Sequence, residues 1–364
     1  MKISAITQIL EQWAPLAYAE EFDNVGLLVG NKENYCENVL LSHDVSEAVV
    51  EEAILKKCPL IICFHPIIFK GLKSLTGKNY VEKTVIKAIE NKIAIYALHT
   101  ALDNHKEGVS YSLGKTIGLK NQRILLPQKN TLYQLTTYVP PTHKEKVLEA
   151  MHTAGAGAIG HYSQCSFSTT GEGQFLGDAA SNPQLGEQLK LTKVTEVRIQ
   201  VIVPKHLKTD IINALQQSHP YESVAYELIA VENLNPDIGL GSIGELAKPM
   251  QQQDFMKHLK KSLHIPVLRH SHSKKNKIKK VAVLGGSGSF CINAAIAQGA
   301  DALVTADLKY HDFYIPENEL LLIDAGHYET EHFTKKIIQE FLTKKFPNFA
   351  FTLSEVNTNP VKYF

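Results

Sequence analysis

A stretch near the carboxyl end of the chain, Leu320–Glu331, joins an apolar run to residue types that hold metals. The apolar run leads to Asp324, Gly326 breaks the extended backbone, and His327 and Glu331 follow with a spacing of four. If a helix begins near His327, the two side chains lie one above the other on one face. An imidazole and a carboxylate at the end of a buried strand suit a divalent ion. Acids are also favoured in a first helical turn without any metal, so other parts of the chain must decide.

Similar residue types follow other predicted strands. Leu60–Cys63 and Ile93–Leu98 are continuously apolar, which is typical of strands buried on both faces of a parallel sheet. Binding sites of open α/β sheets lie at the carboxyl ends of the strands. A lone histidine there is commonly scaffold, but a set of histidines and acids is what a divalent metal site requires, and a shared carboxylate can bridge two ions. The candidates are His65, His99, Asp103, His105, Asp307, His311, His327 and Glu331.

The elements that must position these residues follow two different patterns. Strand–helix–strand units run from Asn38 and resume after Lys280, whereas the segment between them repeats a strand–helix–strand unit of its own. In that repeat Tyr138–Lys144 echoes Val201–Lys208, the plan of a ferredoxin-like domain. We therefore predict an α/β fold with an open, mainly parallel sheet and helices on both faces, formed by residues 1–126 and 237–364. A ferredoxin-like α+β domain, residues 127–236, is inserted into it.

Composition narrows the function classes. Lys and Arg total 38 against 37 Asp and Glu, so the net charge of +1 gives no reason to expect a nucleic-acid partner or an anionic membrane surface. Five cysteines without a C-x-x-C pair indicate free thiols in a reducing compartment. No apolar run of about 18 residues occurs, and the first residues lack a secretory pattern. We expect a cytoplasmic protein without a membrane partner.

Several blocks of the sequence resemble the Nif-three-like family, also labelled GTP cyclohydrolase type 2 homologue or dinuclear metal-centre hexameric protein. The resemblance implies a ring-shaped homohexamer whose sites face an internal cavity, and a long form whose insertion is similar to the PII and CutA-type fold. The blocks in the α/β part are Asp23–Gly26, Phe64–Phe69, His99–Asp103, Val283–Ser289, Thr305–Asp312 and Gly326–Glu331, and those assigned to the insertion are Gly155–Gly160, His219–Glu222 and Gly239–Leu246.

The resemblance also implies metal ligands, at His65, Asp103, His327 and Glu331. One ion of the family pattern would use His65, Asp103 and Glu331, and the other would use His327, Glu331 and a histidine at position 64. This sequence has Phe64 there, and a phenyl ring cannot ligate. We expect a divalent ion (Zn, Mn or Fe) that is well held and a second that is weak, displaced or absent.

Two residues of the sequence are candidate substitutes for the missing histidine. Cys63 and His105 carry suitable donor atoms, but a strand turning at Pro66 does not ensure their geometry. Whether either residue completes the second position is open at the level of sequence.

Two functions are open for the family. The first is a metal-dependent hydrolase acting on a nucleotide or related phosphorylated metabolite, with His99 or His311 as proton shuttle; the family label suggests opening of the guanine imidazole ring of GTP. The second is a non-catalytic regulatory or scaffold hexamer in which the inserted domain senses a ligand. A nicotinamide-dependent oxidoreductase is disfavoured because Gly285–Ser289 lacks the ordered G-x-G-x-x-G and its acidic partner.

Overall fold

The computed structural model describes all 364 residues, which divide into two compact units. The larger unit comprises Met1–Pro127 with Pro236–Phe364, and the smaller unit is Gln128–Asn235. The α-helices are α1 (Ile3–Trp13), α2 (Glu47–Leu55), α3 (Tyr80–Glu90), α4 (His99–Asp103), α5 (Val109–Thr116), α6 (Lys144–Thr153), α7 (Lys208–Ser218), α8 (Gln252–Leu263), α9 (Ile292–Ala297), α10 (His327–Glu331) and α11 (Thr334–Lys345). None of them has the length and apolar character that crossing a membrane requires.

Fifteen strands form three sheets. The strands are β1 (Gly26–Val29), β2 (Asn38–Ser42), β3 (Leu60–Cys63), β4 (Ala94–Ala97), β5 (Leu119–Pro127), β6 (Leu132–Val139), β7 (Ser166–Leu176), β8 (Leu191–Pro204), β9 (Tyr226–Val231), β10 (Gly239–Gln251), β11 (Arg269–His270), β12 (Lys277–Ser287), β13 (Ala302–Ala306), β14 (Leu321–Asp324) and β15 (Ala350–Leu353).

The first sheet of the larger unit has the order β1-β4-β3-β2-β15, with β1 antiparallel and the other strands parallel. Successive residues of a strand point to opposite faces. Leu60 and Ile62 accordingly pack with side chains of α1 and α11, whereas Ile61 and Cys63 pack with those of α2 and α3. All four are fully buried, so the continuously apolar run reflects helices on both faces.

The second sheet of the larger unit has the order β11-β14-β13-β12-β10-β5. Its central strands β12, β13 and β14 are parallel, and antiparallel strands lie on both sides of them. One face packs against α5 and α8 and the other against α9. The parallel strands again end beside polar residues, with Asp307 after β13 and His327 after β14.

The expected α/β class is confirmed, but the larger unit contains two sheets where one open sheet was expected. A single sheet of all these strands would exceed the roughly ten strands at which twisted open sheets split or curl. Apolar periodicity predicts each strand, but it does not say which strands pair. The long strands β5 and β10 pair with each other in antiparallel orientation, and β10 also pairs with β12. Both therefore belong to the second sheet.

The smaller unit has the element order β-α-β-β-α-β and an antiparallel sheet ordered β7-β8-β6-β9. The two halves of the sequence repeat occupy equivalent places. Pro140 and Pro204 each precede a single 3₁₀ turn, residues 141–143 and 205–207, which leads directly into α6 or α7. Apolar residues of both helices pack onto β6 and β8 in one core.

The connection from β3 to α3 contains His65, and the carboxylate of Glu82 in α3 binds the end of this connection. Glu82 accepts hydrogen bonds from the backbone N–H and the hydroxyl of Thr76, at 2.9 and 3.0 Å, and from the backbone N–H of Lys78 at 3.1 Å. Asn79 caps the helix by accepting from the N–H of Glu82 at 2.9 Å. The backbone donors of Thr76 and Lys78 lower the pKa of Glu82 to about 2.

Glu82→Gln is expected to lower Tm at neutral pH because an amide oxygen is a weaker acceptor for these donors. The folded pKa lies below the ordinary value of 4.5, so the stabilisation is fully present above pH 4.5 and is lost as pH falls towards 2. The Tm difference between variant and wild type should therefore shrink over that interval. Glu90→Gln at the exposed end of α3 is the control, and an equal gap for Glu82→Gln at pH 7 and pH 2 would contradict the assignment.

Candidate metal centre

Three side chains from the two sheets of the larger unit meet at one point. His65 follows β3, and His327 and Glu331 begin and end α10, after β14. The Nε2 atoms of His65 and His327 lie 3.3 and 3.1 Å from Oε2 of Glu331, and 3.4 Å from each other. A tetrahedral ion with bonds of about 2.0–2.1 Å separates its ligand atoms by roughly 3.3 Å. The triangle therefore has the dimensions of one face of a tetrahedral metal site.

The carboxylate at the centre of this group is buried. Glu331 is only 3% exposed, and its Oε2 atom has no partner with the geometry of a hydrogen bond. Burying a carboxylate oxygen without a donor is costly, and a cation offsets that cost. The donor set and the unpartnered oxygen both fit a divalent ion.

A carboxylate stands behind each of the two imidazoles. Asp44 Oδ1 lies 2.8 Å from Nδ1 of His65, and Asp307 Oδ2 lies 2.6 Å from Nδ1 of His327. A carboxylate in this position fixes the proton on Nδ1 and leaves the lone pair on Nε2, as in metal-bound histidines generally. Asp44 follows β2 and Asp307 follows β13, so adjacent strand ends supply both the imidazoles and the groups that orient them.

The electrostatics of the group favour positive charge beside Glu331. Burial alone would lower the pKa of His65, but Asp44 and Glu331 raise it to about 9. Burial likewise opposes protonation of His327, yet Asp307 and Glu331 raise its pKa to about 11. The same imidazoles lower the pKa of Glu331 despite its burial. A metal ion that enters must displace protons from these imidazoles, so metal affinity rises with pH.

Asp103 and His99, from the short helix α4, line a cavity of about 370 Å³ together with His327 and Glu331. Asp103 is not part of the close group formed by His65, His327 and Glu331. Burial, together with the negative charge of Glu331, raises the pKa of Asp103 well above its usual value. A nearby cation would oppose that shift.

The imidazole of His99 is held by a buried carboxylate. Its Nδ1 lies 2.7 Å from Oδ1 of Asp23, whose other oxygen accepts a hydrogen bond from the backbone N–H of Thr100 at 3.1 Å. The side chain of Asp23 is completely buried. This pair fixes the orientation of His99 at the wall of the cavity.

Three residues considered from sequence lie away from the group. His311 is exposed and packs between Tyr310 and Tyr314, and it lines neither of the two cavities beside the carboxylate. Cys63 is fully buried, and its Sγ lies 3.4 Å from the carbonyl oxygen of Tyr96. The His105 ring packs edge-on against Trp13. Neither Cys63 nor His105 replaces the missing histidine in this arrangement.

Sequence reasoning missed His43, which directly follows β2. Its Nε2 lies 3.6 Å from Oε2 of Glu331, its side chain is 3% exposed, and its Nδ1 has no hydrogen-bond partner. Burial and the neighbouring His65 lower its pKa to about 4, so the imidazole is neutral at physiological pH. The signal was the polar Ser42–Asp44 segment after an apolar strand, the same pattern that identified His65 and Asp103.

A second cavity, of about 550 Å³, lies beside the same group. His43, His65 and His327 line it, together with Arg269 and residues of the carboxyl-terminal segment such as Tyr363. Arg269 pairs with Asp324 at the end of β14. The imidazoles around Glu331 therefore border two spaces in the larger unit.

Comparisons with known proteins identify the family to which this chain is similar. The sequence profile of Duf34/NIF3 (NGG1p interacting factor 3) matches residues 1–360. A Halalkalibacterium halodurans protein named GTP cyclohydrolase 1 type 2 homolog is 37% identical over 375 residues, covering 100% of both chains. A Bacillus subtilis protein of the same name is 38% identical over 367 residues, covering 98% of this chain and 97% of that one.

A solved structure agrees with the sequence comparisons. The crystal structure of a Bacillus cereus protein related to NIF3 superposes with a TM-score of 0.84 at 36% identity, covering 100% of this chain and 99% of that one. The family resemblance inferred from the sequence blocks is thereby confirmed, and the chain belongs to the Duf34/NIF3 family.

Proposed function

We propose that this chain is a divalent-metal-dependent hydrolase that acts on a nucleotide or a related phosphorylated metabolite. The observation that carries the proposal is the buried Oε2 atom of Glu331, which has no hydrogen-bond partner and faces two imidazoles that carboxylates orient. The name of the Halalkalibacterium halodurans and Bacillus subtilis relatives, GTP cyclohydrolase 1 type 2 homolog, makes GTP the first substrate to test.

His65, His327 and Glu331, together with Asp103, are the residues that would hold metal. The family resemblance assigns Asp103 with His65 and Glu331 to one ion, and His327 with Glu331 to the other. Imidazole and carboxylate donors suit Zn²⁺, Mn²⁺ or Fe²⁺. When bound, such an ion supplies Lewis-acid polarisation of a carbonyl or phosphoryl oxygen. We propose one well-held ion and a weaker second, because Phe64 stands where the family pattern has a histidine.

His99 is the proposed proton carrier. Asp23 fixes the proton on its Nδ1, so in the neutral ring Nε2 carries the lone pair that accepts a proton from a reacting group. Its place in the wall of the same cavity as Glu331 supports this role. His311, the other shuttle candidate from sequence, packs beside Tyr310 and Tyr314 and does not line that cavity, so we propose His99 for this role.

The family resemblance adds an assembly to the proposal. A homohexamer would present several such sites to an enclosed space, and the smaller unit would serve as a ferredoxin-like, PII/CutA-like insertion. The β-α-β-β-α-β order of Gln128–Asn235 supports that description of the insertion. We also propose that the protein is located in the cytoplasm.

The second candidate is a non-catalytic regulatory or scaffold hexamer in which the ion is structural and the inserted unit senses a ligand. The replacement of a ligating histidine by Phe64 favours it, since a mechanism that needs two ions would be impaired. Metal-dependent turnover separates the two candidates.

The position of Glu331 depends on the glycine turn at the end of β12. The backbone N–H of Gly286 donates to the hydroxyl of Thr330 at 3.0 Å, and its carbonyl accepts from the hydroxyl of Thr305 at 3.0 Å. Gly286 adopts a positive φ of 66°, and a Cβ there would overlap Oε1 of Glu331. The turn can approach the carboxylate this closely only as glycine.

Metal-stripped protein is expected to hydrolyse GTP or a model phosphoester only after Mn²⁺ or Zn²⁺ is added. Glu331→Gln should lose bound metal and at least about a hundred-fold of that activity, because the buried negative charge that holds the ion is gone. Turnover and metal content per chain are measured together. Glu340→Gln, the same change at an exposed position of α11, is the control. Turnover without metal, or full activity of Glu331→Gln, would refute the proposal that the chain is a metal-dependent hydrolase.

Gly286→Ala is expected to reduce metal affinity by displacing the Glu331 carboxylate. Any alanine in a left-handed conformation costs about 1 kcal/mol of folding free energy, so a control must share that cost. Gly299 has a φ of 70° and open space around its Cβ position, and Gly299→Ala provides that control. Titration of both apo-proteins with Zn²⁺ should show weaker binding for Gly286→Ala alone; equal affinities would show that the turn does not position the carboxylate.

A further inference from the structure

We infer that His43 is a metal ligand of this chain and supplies the imidazole that Phe64 cannot. The inference rests on the proposed metal centre around Glu331 and adds to it a residue outside the four implied ligands. It also revises the expected weak second position, because the His43 imidazole then lies beside the shared carboxylate.

The first support for the inference is the distance between His43 and the Glu331 carboxylate. Three imidazole nitrogens approach the same oxygen, Oε2 of Glu331: Nε2 of His327 at 3.1 Å, of His65 at 3.3 Å and of His43 at 3.6 Å. All three distances are close to the roughly 3.3 Å that separates neighbouring ligand atoms around a tetrahedral ion. A possible ligand atom of His43 groups within 4.8 Å with those of Asp44 and His65, and His65 is shared with the group that contains His327 and Glu331. The His43 ring also lies edge-on to the His65 ring, with 4.7 Å between centroids.

The burial of His43 is the second, independent observation. Its side chain is 3% exposed, yet its Nδ1 has no hydrogen-bond partner, and its Nε2 lies 3.6 Å from Oε2 of Glu331, beyond hydrogen-bond distance. Buried polar groups are nearly always paired, and an unpaired one calls for an explanation. A metal ion that accepts the Nε2 lone pair satisfies one of the two nitrogens and explains why an imidazole is retained at this buried position.

The backbone explains why position 43 can replace position 64. The carbonyl oxygen of His43 accepts hydrogen bonds from the N–H groups of Phe64 and His65, at 3.1 and 3.0 Å. Residues 43 and 64 therefore extend from adjacent points at the ends of the neighbouring strands β2 and β3. An imidazole moved from one strand end to the next remains near the same carboxylate.

Phe64 has a packing role beside the His43 imidazole. Its ring is fully buried in the apolar cluster of the first sheet, and it stacks on the His43 ring with centroids 5.5 Å apart and an interplanar angle of 20°. The phenyl ring thus supports one side of the imidazole, whereas the edge carrying Nε2 approaches Glu331. A purely structural His43 would need only the stacking and not the approach to the carboxylate.

The test compares metal binding by four proteins after chelation: wild type, His43→Leu, the double variant His43→Leu with Phe64→His, and His332→Leu. His332 is a half-buried histidine just after α10 whose ring stacks on Tyr328, so it controls for the loss of a packed imidazole. Each protein is titrated with Zn²⁺ and Co²⁺, and the readouts are metal per chain, affinity and the Co²⁺ absorption spectrum. Circular dichroism and Tm verify the fold, with His43→Gln as a second variant if His43→Leu is unstable.

His43→Leu is expected to lose affinity by roughly ten-fold or more, since even partners outside the ligand shell contribute that much. The Co²⁺ spectrum should change with the loss of a nitrogen ligand, the double variant should regain both properties, and His332→Leu should match wild type. Wild-type affinity and spectrum in folded His43→Leu would overturn the inference while leaving the metal centre intact. A loss that Phe64→His does not restore would also overturn it, and a wild type that binds no ion would refute the metal centre itself.

Discussion

The larger unit is organised around one electrostatic constraint, the buried negative charge of Glu331. A carboxylate with 3% exposure is stable only where positive charge or donors replace water, and Oε2 has no hydrogen bond. The imidazoles of His65 and His327 meet this requirement. Their carboxylate partners on the far side keep positive charge favourable there, whether protons or a metal ion carry it. The glycine turn at Gly286 exists in this form because no larger residue fits beside the carboxylate.

Parallel strands satisfy this constraint because their carboxyl ends gather at one edge. In the first sheet the neighbouring strands β2, β3 and β4 are followed by His43, His65 and His99, respectively. In the second sheet β13 and β14 are followed by Asp307 and His327. Both sheets therefore contribute to the group around Glu331: His65 follows a strand of the first sheet and His327 follows a strand of the second.

Sequence patterns predicted the α/β class and pointed to His65, His327 and Glu331, which the structure brings together, because continuous apolar strands mark where polar residues must emerge. They did not predict the division into two sheets, since the periodicity of β5 and β10 does not reveal their pairing partners. His43 was missed for a related reason. Its importance depends on the hydrogen bonds that join its carbonyl to the N–H groups of residues 64 and 65, and such contacts between adjacent strands leave no periodic signal.

The end of β2 shows how two adjacent residues can serve opposite sides of one site. His43 approaches the Glu331 carboxylate, while Asp44, the next residue along the chain, lies behind His65. An imidazole at position 43 therefore leaves Asp44 free to keep its own place and orient His65. Phe64 packs against both rings, with its centroid 5.5 Å from that of His43 and 4.9 Å from that of His65. Transfer of an imidazole between neighbouring strands thus preserves the orienting carboxylates, on which the charge balance around Glu331 depends.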